Sequence, residues 1–226
     1  MLSSLKPYPH LFLVGALAIA LFSLSATLYT YLRGPGIGVE GGILDPAPAY
    51  IVNRLLFPQS VNSTAGPIEI PVKGKINIFV PQYVRCPDIC HLETIVMLYV
   101  MKTLADRGYI EDVVWVTVDV DPWNSTLEDA RSYMEARAKR AGLKAIVDRG
   151  SWIWVLDSED NLRKIWGQLN IRAERTKTGL VAHTTGFIIA DENGYVRYHV
   201  NPRDWTNLTA VADKIVELVE NIKLGR

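Results

Sequence analysis

Residues 113–120, VVWVTVDV, are β-branched or apolar on both faces of the strand they would form. A strand with one wet face alternates polar and apolar, whereas one buried on both sides does not. This run therefore belongs inside a sheet that is covered by helices above and below. KINIFV at 75–80 and WIWVL at 152–156 repeat the pattern. The segments between them read as helices. Residues 88–107 carry Ile89, Leu92, Ile95, Val96, Tyr99, Val100 and Leu104 on a broad apolar face and close at Gly108, which predicts a well-buried helix. Residues 125–141 are amphipathic, with Asn124 or Ser125 as cap. A third helix over 158–169 precedes strands at 185–190 and 195–200, joined by the turn signal Asp191-Glu192-Asn193-Gly194, and a last helix covers 206–223. Strand–helix alternation followed by a hairpin predicts an α/β sheet with parallel central strands and an antiparallel edge.

The amino-terminal part is of another kind. Residues 11–32, LFLVGALAIALFSLSATLYTYL, contain no charge and are long enough to cross a hydrocarbon core of about 30 Å. Signal-peptide apolar regions are shorter, so an uncleaved single-pass anchor is expected. Ser23-Leu24-Ser25-Ala26 offers a small-residue cleavage site as the alternative. Lys6 and Arg33 flank the run and barely set its orientation. The expected organisation is an anchor over 1–33, a tether over 34–67 with the glycines and prolines of GPGIGVEGG and DPAPAY, and one domain over 68–226. Either reading of the apolar run puts that domain outside the cytoplasm, and the anchor holds it at the cell membrane. Three Asn-x-Ser/Thr sequons at Asn62, Asn124 and Asn207 are compatible with this. The 24 Lys plus Arg balance 24 Asp plus Glu with no basic block, so no nucleic-acid partner is expected.

The chemistry converges on Cys86-Pro87-Asp88-Ile89-Cys90, at the carboxyl end of the first apolar strand, where open α/β sheets carry their sites. These are the only two cysteines in 226 residues. At i and i+4 on a helix start they project from one face, with Pro87 suited to the first helical position and Cys86 near the N-cap. Such a pair can close a disulfide or hold a soft metal ion. A purely structural disulfide over so short a loop would stabilise little. Of the four histidines, His10 lies beside the apolar run, His91 follows Cys90, and His199 lies late in the second hairpin strand. His183 opens the hairpin arm, where a loop can reach the cysteines; it is either a third ligand, suiting copper or zinc, or a strand-end residue satisfying a local carbonyl. Asp88 reads as a helix first-turn charge, Asp119 and Asp121 as turn and cap residues, and Met97 and Met101 as core.

Tyr83-Val84-Arg85-Cys86-Pro87-Asp88-Ile89-Cys90, the VTVDVDP of 116–122, and His183 ahead of Phe187-Ile188-Ile189-Ala190-Asp191-Glu192-Asn193-Gly194 together resemble the Sco/SenC family. The resemblance implies a thioredoxin-like fold, a mixed sheet flanked by helices, with an N-terminal transmembrane helix. It also implies copper, Cu(I) or Cu(II), on Cys86, Cys90 and His183, and a metallochaperone role in assembling the copper site of a respiratory cytochrome oxidase. The partner would be the copper-site subunit of that oxidase or another copper donor or acceptor. Two positions depart from the family pattern: His91 stands where proline is usual after the second cysteine, and Ala182 where aspartate is usual before the histidine. His91 is adjacent to Cys90 and so points about 100° around the helix, which favours an exposed residue over a fourth ligand. The alternative function is a membrane-anchored thiol–disulfide oxidoreductase cycling a Cys86–Cys90 disulfide. Thioredoxin-like reductases usually set a proline opposite the cysteines, and Val181-Ala182-His183-Thr184-Thr185 has none. A peroxidase is weaker still, because Tyr83 stands where peroxiredoxins carry threonine. Cell fractionation should recover the chain in the membrane; an intact chain found soluble in the cytoplasm would contradict the anchor.

Overall fold

The computed structural model describes residues 39–40, 45 and 47–225, all within one compact unit, Gly38–Arg226. The expected anchor at 11–32 lies outside the described residues, among which no helix is long and apolar enough to cross a membrane.

The doubly buried strands form the centre as their composition requires. β5 (Ile76–Gln82) pairs in parallel with β6 (Val113–Asp119), and β6 with β7 (Trp152–Val155). Every residue of the three is buried. On the other side of β5 lie β10 (Phe187–Ala190) and β11 (Tyr195–Val200), both antiparallel to their neighbours. With β1 (Val39–Glu40) and β2 (Ala49–Leu55), the seven-stranded sheet runs β1-β2-β11-β10-β5-β6-β7. This is the mixed α/β, thioredoxin-like arrangement expected.

Helices α1 (Cys90–Asp106) and α2 (Leu127–Arg140) make the two parallel crossovers in the same direction, so right-handedness puts both on one face. The hydroxyls of Thr94 on α1 and Tyr133 on α2 meet at 3.0 Å. The terminal α4 (Leu208–Lys223) packs beside α1. On the other face α3 (Glu159–Leu169) brings Ile165 and Leu169 against Phe79, Leu56 and Ile70. Met97 and Met101 are core residues, as read from their spacing. Ile95 and Tyr99, however, are 50% and 45% exposed, so α1 is less completely covered than its apolar pattern predicts.

Three differences matter. First, much of the stretch expected to be a tether is built into the domain. β2 (Ala49–Leu55) pairs with β11 on one side and with β1 (Val39–Glu40) on the other, and Leu56 N–H donates to Gly194 O at 2.9 Å. β3 (Gln59–Val61) and β4 (Ile68–Ile70) form a separate hairpin. Nearby glycines and prolines mask the β-branched and aromatic residues of AYIVNRL, which were the available signal. Second, α1 begins at Cys90 with Ile89 as N-cap, so Cys86 and Pro87 precede the helix instead of opening it. Third, the caps of α2 and α4 are Thr126 and Asn207, each accepting from the N–H three residues on.

Asp119 and Asp121 are indeed end-of-strand residues. Asp119 is fully buried; its carboxylate accepts from Asp121 N–H at 2.7 Å and from the Trp154 indole at 2.8 Å, and its carbonyl from the Trp166 indole at 3.1 Å. Burial pushes its pKa from 3.8 up to about 7. The folded chain thus keeps a proton there that the unfolded chain releases at lower pH. The resulting stability is complete below pH 3.8 and is lost as pH rises through about 7. Chemical denaturation of wild type and Asp119→Asn across this window should show a wild-type decline, on the order of a few kcal/mol, that the variant lacks. Parallel profiles would contradict the assignment.

Candidate metal centre

Cys86, Cys90 and His183 meet at the carboxyl end of β5. Their two sulfurs and one ring nitrogen all lie within 4.8 Å of one another. Cys90 Sγ is 3.7 Å from His183 Nε2, across 93 residues of sequence. Cys90 is buried, while Cys86 and His183 are half-buried; both cysteines are free thiols. Bonds of roughly 2.0–2.3 Å to one ion place the ligands of a three-coordinate site about 4 Å apart, so the observed spacing needs little contraction.

Each side chain has a local cause. Cys86 sits in the turn after β5, its N–H donating to Tyr83 O at 3.2 Å. The amides of Asp88 and Cys90 both support its sulfur. Although Cys86 is not the N-cap residue, its sulfur still lies at the positive end of α1. Cys90 is the first residue of α1 and faces the sheet. His183 ends β9 (Val181–His183), which pairs with β8 (Ala173–Arg175) so that His183 is opposite Ala173. This hairpin was not read from sequence; Thr176 to Gly179, with Gly179 at φ +83°, was its turn signal. His183 Nδ1 lies 2.7 Å from Thr184 O. A carbonyl only accepts, so Nδ1 carries a proton and Nε2 is the nitrogen aimed at the sulfurs. The Tyr83 ring meets the imidazole edge-on, 5.7 Å between centroids.

The two thiols are electrostatically unlike. The Cys90 S–H donating to Cys86 holds the Cys86 thiol down at about 4 against the cost of burial, helped by His183 and the two amides. That same hydrogen bond pushes Cys90 up, with burial and the Glu93 charge adding to it. The reduced pair thus shares one proton, with the thiolate on the more accessible sulfur. Burial and the neighbouring thiolate raise Tyr83 to about 12.

Glu93 escaped the sequence reading altogether. It is 0% exposed, one turn into α1 beneath the sulfurs. Its Oε1 accepts from Gly186 N–H at 2.8 Å, and its Oε2 faces Gln82 Nε2 at 3.4 Å. Gln82 Nε2 also donates to Cys90 O at 2.8 Å. Glu93 therefore ties the cysteine helix to the segment that carries His183. Gly186 has φ +100°, and a Cβ there would stand 2.4 Å from Val200 O, so the close approach requires glycine. Burial raises the Glu93 pKa well above the ordinary range. The signal in the sequence was an acidic residue on the inner face of an otherwise apolar helix.

The remaining candidates stand apart. His91 and Asp88 are exposed, and neither side chain belongs to the cluster; Asp88 meets it only through its amide, which supports the Cys86 sulfur. His199 lies on β11 opposite Tyr50, its pKa lowered to about 4 by burial and by Arg54. His10 lies outside the described residues.

A family model described as SCO1/SenC matches residues 69–220, about two thirds of the sequence, and the chain belongs to that family. No curated protein matches. Among solved structures, Arabidopsis thaliana ScoI with copper bound shares 19% identity at a TM-score of 0.60, over 74% of this chain and 99% of that one. Yeast Sco1 with copper bound shares 20% at 0.59, over 74% and 88%. BsSco, described with a disulfide switch as a member of the Sco family of cytochrome c oxidase assembly proteins, shares 16% at 0.55, over 72% and 95%. At these identities the likeness is one of fold.

Glu93→Ala should leave Gly186 N–H buried without an acceptor, cost about 1–3 kcal/mol, and free His183 from the sulfurs. Glu93→Gln keeps an acceptor and should retain most of both. Nitrogen-15 shifts of the His183 ring, alongside denaturation, check this; unchanged ring signals in Glu93→Ala would contradict it.

Proposed function

We propose that this member of the SCO1/SenC family is a copper-binding metallochaperone that helps assemble the copper site of a respiratory cytochrome oxidase. The observation that carries the reading is the convergence of two cysteine sulfurs and one imidazole nitrogen within 4.8 Å. Thiolates select soft ions such as Cu(I), and the imidazole adds the harder donor that Cu(II) prefers. The structures of the plant and yeast relatives with copper bound, and the family's description in oxidase assembly, support the assignment. Cys86, Cys90 and His183 would hold the ion. A half-buried Cys86 and His183 leave the centre open to incoming ligands from a partner. The expected place of work is the outer side of the cell membrane, with the domain tethered by residues 11–32.

A second reading, thiol–disulfide exchange, is favoured by the asymmetry of the cysteines. A low-pKa, accessible Cys86 beside a protonated, buried Cys90 is the arrangement of attacking and resolving thiols. Against it, His183 rather than an inert backbone segment stands over Cys90. Oxidation of the pair to a disulfide would release copper, so the redox state would control loading.

Anaerobic copper titration of the reduced chain separates the two. Cys86→Ser and Cys90→Ser should each lower Cu(I) affinity by roughly 100-fold or more while the domain stays folded. His183→Ala should weaken Cu(II) more than Cu(I) and leave reduction of a small disulfide intact. His91→Ala should be nearly silent. Full copper affinity in either serine variant would contradict the metal site, and loss of the Cu(II) absorption bands in His91→Ala instead of His183→Ala would contradict the ligand set.

A further inference from the structure

His183 stands where two open grooves meet. One lies on the cysteine side, walled by Tyr83, Cys86, Ile89, Leu180 and Trp205. The other, of about 870 Å³, runs away from the centre between α3 and the β8–β9 hairpin. Its walls are apolar at Trp123, Trp166 and Ile171, and cationic at Arg163, Arg172 and Arg175. Arg163 is paired with Glu159 and lies 5.8 Å over the Trp166 ring. Arg172 and Arg175 have no ion-pair partner among the described residues, and Glu174 is the one acidic residue lining the groove. Lys177 in the hairpin turn adds a further exposed cation. Since positive and negative side chains are equal in number over the whole chain, this excess is local.

We propose that this groove docks an acidic, extended segment of the protein that exchanges copper with the centre. The proposal rests on the copper-transfer reading above and names the chemistry of the partner. Like charges crowded beside an apolar wall are costly alone and are relieved by carboxylates, which makes the groove complementary to an acidic chain bearing an apolar side chain. The register supplies the spacing. His183 is opposite Ala173 and Val181 opposite Arg175, so Arg175 lies two residues, about 7 Å, along the hairpin from the level of the imidazole. A partner carboxylate held by Arg175 or Arg172 thus sets a metal ligand two to four residues away beside His183. In the transfer, the acceptor's two thiols lose their protons as their sulfurs bond Cu(I). The bonds from copper to Cys86, Cys90 and His183 break, the cysteine pair takes up the one proton it shares when metal-free, and the acceptor's other proton goes to solvent. No electron is exchanged.

The test uses the full chain in detergent micelles, loaded with Cu(I) without oxygen. It is mixed with two synthetic peptides bearing the same pair of cysteines, flanked either by four glutamates or by four lysines. The acidic peptide should take copper about tenfold faster at low salt, and the preference should shrink as salt rises. Arg172→Glu with Arg175→Glu should erase the preference at unchanged Cu(I) affinity, and the paired glutamine variant should halve it on a logarithmic scale. Because the same peptides meet wild type and variant, differences in their own copper affinity cancel. A preference that survives both double variants, or equal rates for the two peptides, would overturn the groove while leaving copper binding intact. Binding of wild type but not of the variants to anionic phosphatidylglycerol vesicles, without a peptide preference, would overturn it in favour of a lipid surface. Failure of the wild-type chain to bind Cu(I) at all would overturn the copper reading and this inference together.

Discussion

The hydrogen bond from Gly186 N–H to the buried Glu93 carboxylate fixes the distance on which the centre depends. The cysteines come from the start of α1 and the histidine from the end of β9, and nothing in either segment alone sets their separation. Glu93 does, because a buried carboxylate must find donors and the donors available are the Gly186 amide and Gln82. Gln82 in turn reaches Cys90 O, so the end of β5, the first turn of α1 and the approach to β10 are tied at one point under the ligands. The contact is between elements, and its geometry is dictated by the glycine: any side chain at 186 would strike Val200 O. The spacing of Cys86, Cys90 and His183 is thus built into the folded domain.

That spacing also organises the thiols. With Cys90 donating to Cys86, and two amides and His183 turned toward the same sulfur, negative charge is concentrated on the accessible side of the centre. Metal binding and disulfide chemistry both begin from a thiolate there. The buried Cys90, whose proton is held by its hydrogen bond to Cys86 and by burial, gives it up only to a strong competitor, such as a soft metal ion or a bond to sulfur. Metal loading and oxidation are therefore alternative fates of one prepared state.

The central strands were legible because burial on both faces leaves a run such as VVWVTVDV no other place in a fold. The hairpin 187–200 was legible from its Asp-Glu-Asn-Gly turn, and the family resemblance rested on a short motif whose two cysteines and distal histidine do lie together. Edge elements were not legible. β2 has one exposed side and an ordinary composition, and its place is set by the neighbours β11 and β1 that receive it. The β8–β9 hairpin is three residues a side, below the length at which alternation can be recognised. Cys86 was placed one turn too far into the helix because Pro87 fits a first helical position equally well in a turn. Glu93 was missed for a deeper reason: its place on the inner face of an apolar helix was a signal, but a charged residue there reads as solvated until the segment that supplies its donors is known.

The convergence of Cys86, Cys90 and His183 offers two sulfurs and one nitrogen to a single soft metal ion. X-ray absorption spectroscopy of the reduced chain loaded with one equivalent of copper tests it most directly. The expected first coordination shell holds two sulfur and one nitrogen scatterers, with the nitrogen lost in His183→Ala. A shell of sulfur alone in the wild type, or a nitrogen that persists in His183→Ala, would contradict it.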